Sequence, residues 1–327
     1  DLKEQIEEYK SDIIIYKSKF KNDAALKNFG FKKSSGEVLS FFNIDDINGK
    51  MRFELGIKRF GENPKTGMVF CSTTYINSAG EFLNGVSKFP DYSANRFIGS
   101  MFEQNRINTI STTLIRTSIF RRTGGFDEKL KRGEDFDLFL KIGKVSKVEY
   151  IDLPLMRYRP AIYPLQSGVE KFQYGDDEIE VLKKFDLGDI AAALSFLYDK
   201  ETDFRFSFGM ILYRLGRVSE AMLNFDKSGK LDPENCETLF YSGNCSLKLK
   251  DYESALNEYK KCLKINPEHV ECLNNMGVVY NLMGDDNKSK AKLKKAFKLN
   301  GKLIESLYDP GMTGKGGKAE KVCVPLL

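Results

Sequence analysis

Two acidic segments about ninety residues apart contain the side chains best suited to chemistry. Asn43-Ile44-Asp45-Asp46 follows the apolar run from Glu37 to Phe42, and Gly124-Gly125-Phe126-Asp127-Glu128 leads to Gly133-Glu134-Asp135-Phe136-Asp137. The apolar run predicts a buried strand, which would place the first carboxylates at the carboxyl edge of a sheet, where open α/β folds bind ligands. Such an edge is suited to a metal ion and a diphosphate.

The first segment predicts a divalent metal site, with Asp45 as the preferred ligand. Mg²⁺ and Mn²⁺ take oxygen ligands and leave coordination positions for phosphate oxygens and water. A metal there would act as a Lewis acid by offsetting the charge that develops on a departing diphosphate. The alternative is structural, since Asp45 and Asp46 could simply form a turn and cap the segment that follows.

The second segment predicts a general base. When an acceptor hydroxyl attacks an activated carbon it loses a proton, and a carboxylate opposite the leaving group can take it. Asp135 is expected at the start of a helix behind the Gly124-Gly125 turn, where the helix N-terminus favours an ionised carboxylate. The alternative is that Asp135 is an N-terminal cap with Glu134 as a partner of the helix dipole.

Composition narrows the possible functions. The 327 residues include one histidine, His269, which is expected in a solvated loop, so carboxylates must do any acid/base work in the N-terminal half. The net charge of +5 comes with Lys spread along the chain, so no nucleic-acid partner is expected. Six Cys lack CxxC spacing, and four lie in a helical repeat, so neither a zinc site nor a disulfide framework is expected.

No apolar stretch approaches the ~20 residues that a membrane-spanning helix needs. The chain also starts at Asp1 without a signal peptide or an initiator Met. We therefore expect a cytoplasmic location, with peripheral binding at the inner face of the membrane as a variant, and a chain that is a fragment.

A repeat of 34 residues occupies the C-terminal part of the chain. The period relates Gly209, Gly243 and Gly277, and it relates Ala221, Ala255 and Ser289 in the same way. The aligned positions also include an aromatic residue or Leu (Phe225, Tyr259, Leu293) and a terminating residue (Pro233, Pro267, Gly301). These segments resemble tetratricopeptide repeats. The resemblance implies an all-α solenoid of three helical hairpins, which binds a protein partner or a second copy of the chain.

The N-terminal part instead alternates strands and helices, which predicts an α/β domain. Predicted helices cover Leu2 to Tyr9, Asp23 to Lys33 and Glu134 to Ile142, and predicted strands cover Asp12 to Tyr16, Glu37 to Asn43, Gly67 to Thr74, Thr112 to Ile115 and Tyr150 to Leu155. The expected domains are an α/β domain at 1–165, a linker with docking helices at 166–201, repeats at 202–300, and a capping segment with a flexible basic tail at 301–327.

Four segments in order carry a resemblance to family 2 glycosyltransferases, which have the GT-A fold. The similar segments are Leu26-Lys27-Asn28-Phe29-Gly30-Phe31 with Ser35 to Asp46, Asn105-Arg106-Ile107 with Ser111 and Arg116, the Gly124 to Glu128 and Glu134 to Leu138 motifs, and Leu153 to Arg159. The resemblance implies a Rossmann-like domain that transfers sugar from a nucleotide-diphosphate donor.

The resemblance also assigns roles to individual residues. Asp135 would be the catalytic base, Glu134 would support the acceptor and Asp45 would bind Mg²⁺ or Mn²⁺. The donor would contact Lys27, Asn28, Asn43, Asp45 and Asp46, and the acceptor or diphosphate side would include Gly124, Gly125, Asn105 and Ser111. Asn43 stands where the family usually has Asp, and Lys27 where it usually has Arg. The family's first two strands are expected before Asp1.

The motifs and the resemblance together predict an inverting hexosyltransferase of glycan biosynthesis that uses a divalent metal. The expected donor is a nucleotide sugar, most simply a UDP-sugar. The expected acceptor is a glycan, a lipid-linked sugar or a polypeptide. The alternative is a tetratricopeptide interaction scaffold that carries an inactive or truncated glycosyltransferase remnant. Asn43 and the absent strands favour this alternative, whereas the Glu134-Asp135 pair favours the enzyme.

Overall fold

The computed structural model describes residues 14, 16, 19, 20, 22–89, 96–160 and 175–299. The chain forms two compact units, Asp1–Lys184 and Phe185–Leu327. The predicted helix at Leu2 to Tyr9, most of the predicted strand at Asp12 to Tyr16, and the predicted tail at 301–327 lie outside the described residues.

The first unit is a mixed α/β structure. Its helices are α1 (Asp23–Lys33), α2 (Arg52–Glu62), α3 (Phe97–Glu103), α4 (Thr117–Arg122), α5 (Glu134–Val145) and α6 (Asp176–Leu182), with a 3₁₀ turn at Ile110–Thr112. Its strands are β1 (Val38–Leu39), β2 (Ile47–Asn48), β3 (Thr66–Ile76), β4 (Phe82–Ser87), β5 (Leu114–Arg116) and β6 (Lys147–Tyr158).

Within the described residues the strands form one sheet in the order β1-β5-β3-β6-β2, with β4 added to β3. The central strands β3 and β6 run parallel, in a register that pairs Val69 with Glu149 and Tyr75 with Tyr158, and the other pairs are antiparallel. A core of Phe60, Val69, Cys71, Leu114, Ile151 and Met156 packs against this sheet. Both central strands therefore end at the same edge, at Ile76 and Tyr158.

The predicted buried strand from Glu37 to Asn43 is only partly correct. Only Val38 and Leu39 pair as a strand, and Phe42 is 48% exposed. The physical reason is the shortness of its partner: within the described residues β1 is bonded to β5 alone, and β5 has only three residues, so the ladder ends after Leu39. The helix predicted at Asp23 to Lys33 is confirmed, and the strand predicted at Gly67 to Thr74 lies within β3.

Helix α2 is absent from the sequence-based prediction. Its buried positions are Arg52, Gly56 and Phe60, which are four residues apart and lie on one face. A buried Arg and a buried Gly give that face no apolar signal, whereas Phe53 and Ile57 on the other face are exposed. A pattern of buried apolar residues therefore does not reveal this helix.

The second unit is helical throughout its described residues. After α7 (Leu187–Ser195) come three hairpins: α8 (Glu201–Arg214) with α9 (Val218–Leu231), α10 (Cys236–Lys248) with α11 (Tyr252–Ile265), and α12 (Val270–Leu282) with α13 (Asp286–Leu299). Each predicted repeat is thus one helical hairpin, as the 34-residue period indicates.

The regular spacing of small residues within each hairpin reflects close helix packing. A Cβ added to Gly209, Gly243 or Gly277 would lie 2.8, 2.5 or 2.6 Å from a side-chain atom of Phe225, Tyr259 or Leu293, respectively. Ala221 and Ala255 are fully buried and Ser289 is 4% exposed. The small residues are therefore required because the two helices of a hairpin cross without space for a larger side chain.

Two expectations about the repeats are wrong. His269 is 5% exposed rather than solvated, because it caps α12 by accepting the backbone N–H of Cys272 at its Nδ1 atom (3.2 Å). Cys236 and Cys262 are joined by a disulfide although no CxxC spacing marks them. The antiparallel hairpin brings the start of α10 beside the end of α11, so residues 26 apart in sequence become neighbours.

The hairpin packing makes a direct prediction for Gly243→Ala. The new methyl group would overlap the ring of the buried Tyr259, and overpacking should outweigh the better helix propensity of Ala, for a net loss of about 1–2 kcal/mol. Urea denaturation followed by far-UV circular dichroism measures the change.

The matched control is Gly229→Ala in α9, where the nearest atom to the new Cβ is Cγ2 of Thr238 at 3.6 Å, an ordinary contact. This variant should be as stable as the wild type or more stable, by up to about 1 kcal/mol. Equal stability of both Ala variants would contradict the packing explanation.

Candidate functional site

Lys27 connects helix α1 to the start of helix α5. Its ammonium group donates to Oε1 of Glu134 at 2.8 Å and to Oδ1 of Asp135 at 2.7 Å, and it lies 5.1 Å from the ring centre of Phe126. The three charged side chains are mostly buried, with 18%, 14% and 28% exposure for Lys27, Glu134 and Asp135. One cation therefore balances two adjacent carboxylates that are separated from it in sequence by more than one hundred residues.

Asn28, predicted beside a nucleotide, has its side-chain amide hydrogen-bonded to the turn at Phe126. Its Nδ2 atom donates to the carbonyl of Phe126 and to Oε1 of Glu128, both at 2.9 Å, and its Oδ1 accepts the Phe126 N–H at 3.1 Å. Asn28 thus holds the Gly124-Gly125-Phe126 turn against α1. A larger residue at Gly125 would meet this amide, since an added Cβ would lie 2.8 Å from Asn28 Oδ1.

Gly124 and Gly125 both have left-handed backbone conformations, with φ of +78° and +70°. These values favour glycine because other L-residues adopt them at a cost. The amide of Gly125 donates to the carbonyl of Phe120, so the turn is tied to helix α4. The two glycines shape the approach to α5 and are not among the residues that line the cleft beside Asp135.

Asp135 lies in the first turn of α5 and lines a cleft of about 310 Å³. The capping alternative for Asp135 is wrong, because the cap position belongs to Gly133, at φ +78°. The carboxylate is 28% exposed and is held by Lys27. The lining residues are Asn105, Ile107, Asn108, Thr109, Arg132, Gly133, Glu134, Asp135, Phe136, Gly175, Asp177 and Glu178.

The protonation behaviour of Asp135 differs from what the helix N-terminus alone would produce. Burial raises the pKa of Asp135, Lys27 opposes this by charge and hydrogen bonding, and the charge of Glu134 adds to the increase, so the pKa lies above its usual value. Burial lowers the pKa of Lys27, but Asp135 and Glu134 more than compensate, so the net shift is upward. A carboxylate with a raised pKa is a stronger proton acceptor when it is ionised.

The two aspartates of the first motif have different surroundings. Asp46 is 5% exposed; its Oδ2 accepts from Thr109 Oγ1 at 2.9 Å and its Oδ1 from the Arg159 N–H at 3.3 Å. Asp45 is exposed and its carboxylate makes no hydrogen bond with the described residues, although its backbone carbonyl accepts from Arg159 Nε at 3.1 Å. Asp46 is thus occupied within the protein, and Asp45 is open to solvent.

The motif lies at the ends of the central strands. Arg159 directly follows β6 and donates from Nη1 to the carbonyl of Asn77, which directly follows β3. The expected place at a carboxyl sheet edge is therefore correct for Asp46, but the relevant strands are the parallel pair β3 and β6 rather than the short strand that precedes the motif.

Thr109 joins the two halves of the site, and the sequence reasoning missed it. It lines the cleft beside Asp135, donates to Asp46, and accepts from Nδ2 of Asn43 at 3.0 Å. The available signal was the polar run that includes Asn105, Asn108 and Ser111, within which Thr109 caps the 3₁₀ turn. Asn105 and Glu134, both predicted, also line the cleft.

Arg52 is a second residue that the sequence reasoning missed. Its guanidinium is 1% exposed and donates to the Ser111 carbonyl from Nε at 3.1 Å and to Ser40 Oγ from Nη2 at 2.7 Å. Ser111 is itself fully buried, and its hydroxyl accepts the Asn43 N–H at 2.9 Å. Ser111 therefore supports the aspartate segment from behind instead of lining the cleft.

Comparison with protein families identifies both parts of the chain. The protein-family model described as glycosyltransferase like family 2 matches residues 4–175, which is more than half of the chain. The chain belongs to this glycosyltransferase family. The mixed sheet and its helices are the GT-A fold of the N-terminal unit, and a tetratricopeptide repeat model matches residues 236–269 in the second unit.

Several curated proteins are similar to the glycosyltransferase part. A glycosyltransferase of Rickettsia typhi is 30% identical over 135 residues, which cover 40% of this chain and 42% of that protein. One of Rickettsia conorii is 27% identical over 148 residues, covering 44% and 23%. The chondroitin synthase of Pasteurella multocida is 23% identical over 130 residues, covering 39% and 13%. The chain thus spans less than half of each of these relatives.

Solved structures that are similar to the chain include MamA and several tetratricopeptide repeat proteins. MamA has 17% identity and a TM-score of 0.32, with 39% of this chain and 70% of that chain covered. YrrB, a tetratricopeptide protein with a peptide-binding site, has 20% identity and a TM-score of 0.34, with 40% and 70% covered.

Among the described helices, none is both long and apolar enough for a bilayer crossing.

The ion pair at the centre of the site predicts the effect of Lys27→Met. Without the ammonium group, burial and the charge of Glu134 act unopposed, so the pKa of Asp135 should rise above its wild-type value. Carbon-13 NMR of aspartate-labelled protein, with the Asp135 signal assigned from Asp135→Asn, measures it. Lys27→Arg keeps the charge and should leave that pKa close to wild type; an unchanged or lower pKa in Lys27→Met would refute this account.

Proposed function

We propose that the N-terminal unit is an inverting glycosyltransferase of the hexosyltransferase type, in which Asp135 is the catalytic base. The observation that carries the proposal is the position of Asp135: its carboxylate lines the cleft, is partly exposed, and is held at 2.7 Å by Lys27. The donor is a nucleotide-diphosphate sugar, in the first place a UDP-sugar. The acceptor is a glycan, a lipid-linked sugar or a polypeptide.

The proposed reaction needs one base. In an inverting displacement the acceptor hydroxyl attacks the anomeric carbon from the face opposite the leaving diphosphate, so a single carboxylate on the acceptor side removes the proton. The raised pKa of Asp135 favours this role. Lys27 keeps the carboxylate oriented before reaction, and Glu134, which shares Lys27, lines the same cleft and supports the acceptor.

The residues of the first motif suit a hard divalent cation. Asp45 offers an exposed carboxylate, and Asn43, which donates to Thr109 through Nδ2, has its amide oxygen available as a second oxygen ligand. Mg²⁺ is commonly bound by one or two protein oxygens together with substrate phosphates. When bound, Mg²⁺ or Mn²⁺ would stabilise negative charge on the leaving diphosphate. Asp46 has a supporting role, because Thr109 and Arg159 occupy its oxygens.

The tetratricopeptide repeats supply a second binding function in this proposal. Their class binds proteins, and a groove of about 380 Å³ within the second unit is lined by residues of α9, α10 and α11, among them Phe225, Asp226, Lys230, Glu258 and Lys261. A groove lined by side chains of both signs of charge suits an extended polypeptide segment. The repeats would thus hold a protein partner, a second copy of the chain, or a polypeptide acceptor.

Asp135→Asn tests the assignment of the base. The amide cannot accept the proton, so sugar transfer should fall by roughly 10²–10⁴-fold while donor binding is retained. Release of UDP from a panel of UDP-sugars in the presence of candidate acceptors measures turnover, and calorimetric titration with UDP measures donor binding.

The control is Glu54→Gln, a change of an exposed carboxylate on α2, which should leave turnover unchanged. Full transfer by Asp135→Asn would exclude Asp135 as the base. Absence of UDP release by wild type and variants alike, with every donor, would instead support the interaction scaffold with an inactive glycosyltransferase domain.

The different environments of Asp45 and Asp46 predict different effects of Asp→Asn changes at the two positions. Asp45→Asn should increase the Mg²⁺ or Mn²⁺ concentration needed for half-maximal turnover, with thermal stability unchanged. Asp46→Asn should destabilise the fold by about 1–3 kcal/mol, because a buried acceptor of two hydrogen bonds is altered. Metal titration after chelation and thermal denaturation separate the two effects; a stability loss only in Asp45→Asn would overturn the assignment.

A further inference from the structure

Three residues with metal-binding side chains converge where the second tetratricopeptide hairpin meets the third, far in sequence from the glycosyltransferase motifs. Cys236 is the first residue of α10, Cys262 lies in the last turn of α11, and His269 caps α12. Their ligand atoms all lie within 4.8 Å of one another. The antiparallel hairpin and the start of the next repeat therefore bring together two sulfurs and an imidazole that no sequence motif marks.

An unsatisfied buried atom points to a ligand at this position. His269 is 5% exposed, its Nδ1 accepts the N–H of Cys272, and its Nε2 has no hydrogen-bond partner among the described residues. A buried polar atom without a partner is costly and rare in folded proteins. The carboxylate of Glu237 lies near Nε2, with Oε1 at 3.6 Å. The Nε2 atom of His269 is therefore placed to bind a ligand.

Packing alone does not require these residue types. The 34-residue period relates Cys236, Cys262 and His269 to Thr202, Ser228 and Asn235 in the first repeat, where the Ser228 hydroxyl donates to the Thr202 carbonyl at 3.1 Å. In the third repeat, Val270 and Ala296 occupy the first two positions and belong to one apolar cluster. Small polar or small apolar side chains therefore suffice there, and the second repeat alone combines two thiols with an imidazole.

We propose that Cys236, Cys262 and His269 form a binding site for a thiophilic divalent cation of the Zn²⁺ class, which exists in the reduced protein and is closed by the Cys236–Cys262 disulfide. Two thiolates and an imidazole select Zn²⁺ over Mg²⁺, which prefers oxygen ligands. This ligand set is chemically different from the oxygen ligands of Asp45, so the two sites would take different metals.

The carboxylates around His269 fit this role. Two ligands of one tetrahedral Zn²⁺ that bind through nitrogen and oxygen lie roughly 3.3 Å apart. The separation of 3.6 Å between His269 Nε2 and Glu237 Oε1 is close to that value, so Glu237 is the fourth ligand. Binding of a cation at Nε2 requires the imidazole tautomer with its proton on Nδ1. In the metal-bound form Nδ1 therefore no longer accepts the Cys272 N–H and instead donates to Glu271 Oε2, which lies 3.3 Å away, as metal-bound histidines commonly do to carboxylates.

The chemical change between the two forms balances with a dithiol as reductant. The dithiol transfers two electrons and two protons to the Cys236–Cys262 bond, becomes a disulfide itself, and leaves two free thiols. Binding of Zn²⁺ then releases both thiol protons and forms two Zn–S bonds. Oxidation by a disulfide reverses the sequence and expels the metal. The cation consequently links α10, α11 and α12 only under reducing conditions.

Titration of the full chain with Co²⁺, a spectroscopic substitute for Zn²⁺, tests the proposal. The protein is reduced with a phosphine, freed of metal and titrated, and the thiolate-to-cobalt charge-transfer absorption is recorded. We expect one equivalent of Co²⁺ to bind, Zn²⁺ to displace it, and Mg²⁺ to leave it in place. Protein reoxidised to the disulfide should show no such absorption.

Two variants introduce residues that the first repeat already carries at the same positions, so that the fold is retained. His269→Asn keeps a helix cap, since Asn235 caps α10 by accepting the Thr238 N–H at 3.0 Å, and Cys262→Ser introduces the residue found at position 228. Each should weaken Co²⁺ binding by at least about 100-fold, more than the typical effect of removing a supporting residue. Glu271→Gln should weaken it by roughly 10–100-fold.

Cys245→Ser is the control, because Cys245 is a buried free thiol of the same unit outside the cluster. It should bind Co²⁺ as the wild type does, with circular dichroism confirming the fold of every variant. The proposal is overturned if the reduced wild type binds Co²⁺ no better than Cys262→Ser. Equal binding by oxidised and reduced wild type, which share one sequence, overturns it as well.

Discussion

Electrostatic balance at the start of helix α5 is the constraint on which the structure around the Asp135 cleft depends. Glu134 and Asp135 place two negative charges side by side in a partly buried position, and Lys27 neutralises them from helix α1. An uncompensated charge pair of this kind would be protonated or displaced toward water. The ion pair therefore ties α1 to the start of α5, orients the two carboxylates, and opposes the increase that burial causes in the pKa of Asp135.

The surrounding structure serves to keep these groups in place. The side-chain amide of Asn28, the residue after Lys27, is hydrogen-bonded to both the backbone N–H and the backbone carbonyl of Phe126. The left-handed Gly124-Gly125 turn allows the chain to approach that amide closely. At the other side of the cleft, Thr109 is bonded to Asn43 and Asp46, while Arg52 holds Ser111 and Ser40 from the core. The groups around the cleft are thus held in place by backbone turns and buried polar contacts as well as by the acidic motifs.

The repeats of the second unit depend on close packing between crossing helices. In the repeats, glycines admit a ring or a leucine between crossing helices, and the same crossing recurs every 34 residues because each hairpin buries its face against its neighbours. Positions at hairpin ends are less restricted, as the change from Thr202 and Ser228 to Cys236 and Cys262 shows. This freedom allows one repeat to acquire a chemical function without disturbance of the solenoid.

Sequence by itself determined the family, the repeat period, helix α1 and the place of Asp135 in the first turn of α5, because these depend on local pattern and on ordered motifs. Only the tertiary structure decided which aspartate faces solvent, that Lys27 contacts both carboxylates, that Thr109 and Arg52 support the site, and that His269 is buried near two sulfurs. These features arise from contacts between residues distant in the chain, such as Thr109 with Asp46 and Cys236 with Cys262. Local sequence contains no periodicity that reports such contacts, since they form only when the sheet and the hairpins bring their ends together.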